Sequence, residues 1–205
     1  MKLTSTSITP DQRIPARYAM GKADPDQHAT FSENVSPQLS WSDAPAGTKS
    51  FAVVMHDESV PTIGTDVNVE GKVLPADLPR TDFYHWILVD IAPEVSELSE
   101  GAHAEGVTVR GKSGPQGPDG TRHGINNYRE FFQGDLDLGG DYFGYDGAFP
   151  PWNDEVVHKY TITVYALDVD RLPIEGAFDG PSALAAMQDH ILDSARFSAT
   201  YSIAS

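Results

Sequence analysis

Three apolar stretches of this chain are flanked by residues able to share a proton or a charge. Asp57 and Pro61 follow the first, His85 opens the second, and His158 and Tyr160 lead into the third, shortly after Gly147, Pro150 and Pro151. A carboxylate orients an imidazole and favours its charged form, an imidazolium supplies charge-assisted hydrogen bonds, and a phenol adds a neutral donor. At the ends of three strands these groups can converge on one small anion. Gly147 would let backbone N–H groups approach that anion, and the prolines would hold the backbone rigid. Such a site predicts that anion affinity falls as pH rises through the histidine range.

The elements that must position these residues are short. Phe51–Met55, Trp86–Ile91, Tyr160–Ala166 and Phe197–Ile203 are runs of β-branched and aromatic residues bounded by turn formers, too short for helices. In the last run Phe197, Ala199, Tyr201 and Ile203 alternate with polar residues, the pattern of an antiparallel strand with one buried face. One helix is signalled, with Asp179 or Gly180 as cap, Pro181 in its first turn, and Leu184, Met187, Ile191 and Ala195 along one face. A second short helix or turn is expected near Pro93–Ser99. Between Glu100 and Phe149 fall twelve of the eighteen glycines and no apolar period, so a long loop or flap is expected. Its aromatic stretches argue for packing against the body. The chain reads as all-β with minor helices, one domain over residues 1–205.

A net charge of -16, from 14 basic and 30 acidic residues, disfavours nucleic acid and anionic membrane surfaces as partners. Without cysteine there is neither a disulfide nor a thiolate metal site. No apolar leader and no span-length segment is recognisable, so a cytoplasmic protein without integral membrane association is expected.

Several motifs compete for attention. Gly106 to Ser113 satisfies the P-loop expression, but Gly114 and Pro115 follow where a phosphate-cradling helix must begin, so a turn-rich loop is expected. His56 and Glu58, with a distant histidine, would make a two-His-one-carboxylate iron site. The acidic run from Asp135 to Asp146 lacks the spacing of a calcium loop and reads as a solvated loop. Asn34-Val35-Ser36 is a glycosylation sequon in form only.

Val35 to Trp41, Phe51 to Pro61, the strand His85 to Ile91, and Tyr145 to Pro151 followed by His158-Lys159-Tyr160 together resemble, in order and separation, the phosphatidylethanolamine-binding protein family, in particular its bacterial Raf kinase inhibitor-like branch. Only the first Asp and last Pro of the family's Asp-Pro-Asp-Ala-Pro motif are kept, and Phe149 replaces a rim glycine of eukaryotic members. The resemblance implies a two-sheet antiparallel Greek-key β-sandwich with a C-terminal helix. It also implies a small end pocket for phosphate-like or carboxylate anions, formed here by Asp57, Pro61, His85, Gly147, Pro150, Pro151, His158 and Tyr160.

The leading expectation is therefore a binding module for a small anionic or phosphorylated ligand, with no cofactor and no metal. It would modulate a protein kinase or protease as some relatives do, and bacterial relatives make a homodimer plausible. The alternative is an enzyme using the Asp-His-His-Tyr pocket for acid–base chemistry, though no activated nucleophile is evident. A metal-dependent oxygenase built on His56 and Glu58 is a third reading.

Overall fold

Three of the apolar runs become strands that are covered on both faces, while the fourth, Phe197–Ile203, buries one face at the sheet edge, as its alternation predicts. In chain order the strands are β1 (Lys2–Thr4), β2 (Gly21–Asp24), β3 (His28–Phe31), β4 (Leu39–Ser42), β5 (Ser50–Pro61), β6 (Arg80–Ile91), β7 (Glu97–Leu98), β8 (Arg122–His123), β9 (His158–Leu167) and β10 (Ile191–Tyr201). Two helices, α1 (Tyr128–Phe131) and α2 (Gly180–Met187), complete the main elements of a computed structural model that describes residues 1–203. Five strands pair in the order β10-β9-β5-β6-β8, three more in the order β1-β4-β7, and β2 with β3 forms a hairpin. All strand pairs are antiparallel.

β5 is central in the large sheet and buried along most of its length. On one face Val53 and Met55 join Trp86, Leu88, Ile162 and Val164 in the core beneath the small sheet, which contributes Leu39 and Trp41. The Trp41 and Phe51 rings, 5.3 Å apart, join the two sheets directly. On the opposite face Ala52, Val54, Ile87 and Val89 meet Ala183 and Met187 of α2. This two-sided cover explains why the central strands read as unbroken apolar runs.

α2 starts as expected, with the Asp179 carboxylate accepting from the Ser182 N–H and Pro181 in its first turn. It ends at Met187, not at Ala195. Ile191 and Ala195 instead lie in β10, opposite Leu167 and Val164 of β9. Pairing with a long neighbouring strand satisfies the whole backbone ladder, and this overrides a local helical period. Around Pro93–Ser99 there is a turn followed by β7, with no helix.

Candidate functional site

Asp57 on β5 stands opposite Tyr160 on β9 and opposite Phe83 on β6. Because side chains two apart on a strand share a face, His158 joins Tyr160 and His85 joins Phe83 on this side of the sheet. Three adjacent strands thus deliver a carboxylate, two imidazoles and a phenol to one cavity of about 320 Å³. Pro61, Pro150, Pro151 and Phe149 also line it, with Phe83, Tyr128 and Phe131 adding aromatic wall. Asn68 contributes from the segment between β5 and β6. It accepts from the Trp152 N–H at 3.0 Å and donates its own N–H to Asn153 Oδ1 at 3.0 Å, fixing that segment against the proline stretch.

The polar groups are wired unequally. His158 Nδ1 lies 2.6 Å from Asp57 Oδ2, and its Nε2 lies 3.1 Å from Asp154 Oδ2. Asp154 is gripped in turn by Arg80, at 2.5 and 3.0 Å. Burial pulls the His158 pKa down, but hydrogen bonds and charge from Asp57 and Asp154 outweigh it and hold the pKa above its ordinary value. Burial raises the Asp154 pKa, yet Arg80 and His158 bring it below the usual range. His158 is thus an imidazolium with both protons committed inside the protein, not a donor free for a ligand.

His85 behaves in the opposite way. Its Nδ1 lies 2.9 Å from the Asp146 carbonyl, and complete burial drives its pKa down to about 4. Near neutral pH it is uncharged, and its Nε2 has no hydrogen-bond partner among the described residues. The two free imidazolium donors expected from the sequence are therefore replaced by one committed cation and one neutral ring. The Tyr160 hydroxyl is buried near Asp57 but makes no hydrogen bond of ordinary length among the described residues, and burial first, then Asp57, keeps its pKa well above the ordinary phenol value.

Gly147 lies outside the cavity lining. Its N–H donates to Asn34 Oδ1 at 2.8 Å, its carbonyl accepts from the Tyr128 hydroxyl at 2.7 Å, and a Cβ there would sit 2.1 Å from the Tyr18 carbonyl oxygen. The close approach that requires glycine is to protein backbone, not to a ligand.

Asp146, which the sequence suggested was solvated, is 1% exposed. It accepts from Asn34 Nδ2 and Asn126 Nδ2 at 2.8 Å each and from Lys112 Nζ at 2.6 Å. Burial outweighs these donors and leaves its pKa raised. The P-loop look-alike thereby acquires a structural use, since its lysine anchors a buried carboxylate and no helix follows it. The sequon asparagine is wholly buried in the same cluster. His56 packs near Tyr84, with rings 6.0 Å apart, while Glu58 pairs with Lys159 at 2.7 Å. Among the described residues no three His, Asp or Glu side chains are grouped for a metal.

Sequence reasoning missed Arg80, Asp154, Asn68, Phe83 and Tyr128. Arg80 and Asp154 have no local signature, because they meet each other across 74 positions of chain. Tyr128 stood within an aromatic stretch already read as packing, but nothing tied it to the pocket.

A sheet of this order, closed by a smaller one and carrying a small cavity between its central strands and the proline stretch, defines a β-sandwich with a pocket. The model of the phosphatidylethanolamine-binding protein family matches residues 4–202, and the chain belongs to that family. It is 29% identical over 202 residues to the UPF0098 protein YbhB of Escherichia coli K12, covering 98% of this chain and 100% of that one. A UPF0098 protein of Methanothermobacter thermautotrophicus is 28% identical, with 98% of each chain covered. Among solved structures, Escherichia coli YbcL, described as a new member of the mammalian PEBP family, superposes with a TM-score of 0.68 at 22% identity, covering 98% of this chain and 97% of its own. A putative phosphatidylethanolamine-binding protein homolog from Chlamydia trachomatis gives 0.63 at 26% identity, covering 98% and 95%.

Proposed function

We propose that this protein binds a small anion or phosphorylated headgroup in the cavity lined by Asp57, His85, His158 and Tyr160. The observation that carries this reading is the Tyr160 hydroxyl, which belongs to the cavity lining, lies near the Asp57 carboxylate and makes no hydrogen bond of ordinary length among the described residues. Leaving a buried hydroxyl unsatisfied costs about 1–3 kcal/mol, which a ligand oxygen accepting its hydrogen bond would recover. Proline and aromatic walls keep water away from that contact and strengthen it. Family membership supports the same ligand class.

Binding is favoured over catalysis because Asp57 and His158 engage each other. Among the described residues, the cavity lining also contains no serine, threonine or cysteine to serve as nucleophile. Modulation of a protein kinase or protease belongs to this proposal as what the family resemblance implies. Co-precipitation of a kinase or protease with wild type but not with a pocket variant would support it.

Calorimetry with phosphorylethanolamine tests the reading. Saturable binding to wild type is expected, about tenfold weaker in Tyr160→Phe, as loss of one hydrogen bond of roughly 1.4 kcal/mol requires. His103→Ala should be unchanged, because His103 packs beside Trp86 and His123, away from the cavity. No binding to wild type at millimolar ligand would sink the reading.

A further inference from the structure

The cavity leaves few polar groups free, and they differ in kind. His158 carries a carboxylate on each ring nitrogen, Tyr128 donates to the Gly147 carbonyl, and Asp57 accepts from His158 and from the Ser59 N–H. What is left is two donors, the Tyr160 hydroxyl and the exposed Asn68 Nδ2 amide, and one side-chain acceptor, Nε2 of His85. Since Nδ1 of His85 faces a carbonyl oxygen at 2.9 Å, Nδ1 carries the ring proton and Nε2 presents a lone pair.

A ligand oxygen without a proton would meet that lone pair with repulsion. An oxygen bearing a proton would donate to it. Resting on the anion-binding reading above, we infer that the pocket selects anions that bring an acidic proton of their own. A phosphate monoester bound as its monoanion is preferred over a phosphodiester and over a proton-free dianion such as sulfate. The ligand's P–OH donates to His85 Nε2, and a second ligand oxygen accepts from Tyr160.

The surroundings of His85 leave no other source for that proton. Asp57 on β5 and His158 on β9 face it as an ion pair, so their charges oppose each other. Phe83, Tyr128 and Tyr160 surround the ring at 4.9, 5.4 and 5.2 Å. Both phenols have pKa values well above the ordinary range. Asp146 turns its carboxylate towards Asn34, Asn126 and Lys112, and Arg80 is held by Asp154. His85 itself charges only near pH 4.

The pH dependence follows. A phosphate monoester loses its second proton at about pH 6, so below that it arrives with the required proton and affinity is flat. Above it, binding must take up a proton from solvent, and affinity falls by about tenfold per pH unit.

Calorimetry from about pH 5 to about pH 8, spanning that titration, would compare phosphorylethanolamine with its diester glycerophosphorylethanolamine and with sulfate. Buffers of different ionisation enthalpy would read the proton uptake directly. The expected result is monoester binding with uptake approaching one proton at the alkaline end, and at least tenfold weaker binding of diester and sulfate at the acid end. His85→Gln, whose amide can turn a donor to the ligand, should lose that discrimination. Tyr160→Phe should weaken monoester binding without removing the preference. Equal binding of all three probes, or monoester binding without proton uptake, would overturn this inference and leave anion binding intact. If none of the probes binds, anion binding fails and the inference with it.

Discussion

His158 Nδ1 and Asp57 Oδ2 are 2.6 Å apart, and neither side chain is more than 2% exposed. This contact is one link in a buried chain running Asp57, His158, Asp154, Arg80, and it joins β9 and β5 to the first residue of β6. Two anions and two cations alternate, so no charge in the chain is left without an opposite neighbour. A buried pair with its remaining atoms satisfied is costly to break from one side.

Stability should therefore depend on pH through His158. Its folded pKa is raised, so its contribution is fully present below the unfolded value of about 6.5 and is lost as pH rises through the folded one. Asp154, whose pKa is lowered, acts with the opposite sign, and its contribution is lost as pH falls through the folded value. Melting curves from about pH 6 to about pH 9 should show Tm falling with pH across the His158 titration. His158→Gln should flatten that slope, and an unchanged slope in the variant would refute the assignment.

Tyr160→Phe should separate stability from binding. Removing a buried hydroxyl that has no hydrogen-bond partner among the described residues relieves its desolvation cost, so the free protein should gain about 1 kcal/mol in urea unfolding. The same variant loses a ligand donor. A protein destabilised by this change would mean that the hydroxyl is satisfied in solution by something the cavity retains.

Lys112→Met leaves Asp146 buried without its cation, with only Asn34 and Asn126 as side-chain donors. The expected loss is about 3 kcal/mol of unfolding free energy, within the range for breaking one side of a buried pair. ATP with magnesium should show no saturable binding to the wild-type protein. Saturable nucleotide binding abolished by the substitution would contradict the structural role of this lysine.

Gly21 and Phe149 should be energetically coupled. A Cβ on Gly21 would stand 2.1 Å from Phe149 Cδ2, within the ring's own volume. Gly21→Ala alone should cost about 1–3 kcal/mol through overpacking, and less in a Phe149→Ala background. Additive costs in the double-mutant cycle would show that backbone, not the ring, limits the site.

The parts of the fold legible in the sequence are those where burial repeats along the chain. β5, β6 and β9 have apolar cover on both faces, so Phe51–Met55, Trp86–Ile91 and Tyr160–Ala166 stand out without further information. β1, β4 and β7 have two to four residues each, too few for any period to register. α2 was legible at its cap and misread at its end, because the rival partner of Ile191 is Leu167, a strand residue far away in sequence. The same distance separates the legible from the illegible in the pocket. Asp57, His85, His158 and Tyr160 sit beside strand runs, whereas the hold of Asp154 on Arg80 and of Asp146 on Lys112 exists only once the sheet has formed.

The burial of Asn34 also bears on how the protein can be made. Its side chain bridges Asp146, Gly147 and the Gly106 carbonyl, and its amide has no exposed surface. In a eukaryotic secretory pathway the Asn34-Val35-Ser36 triplet would meet the glycosylation machinery while the chain is still extended. A sugar attached then would occupy the position that the Asp146 cluster needs, and those chains would be trapped short of the native state. Production in a host that does not modify this triplet avoids the conflict, and an Asn34→Gln substitution made to remove the sequon would disturb the cluster it was meant to protect.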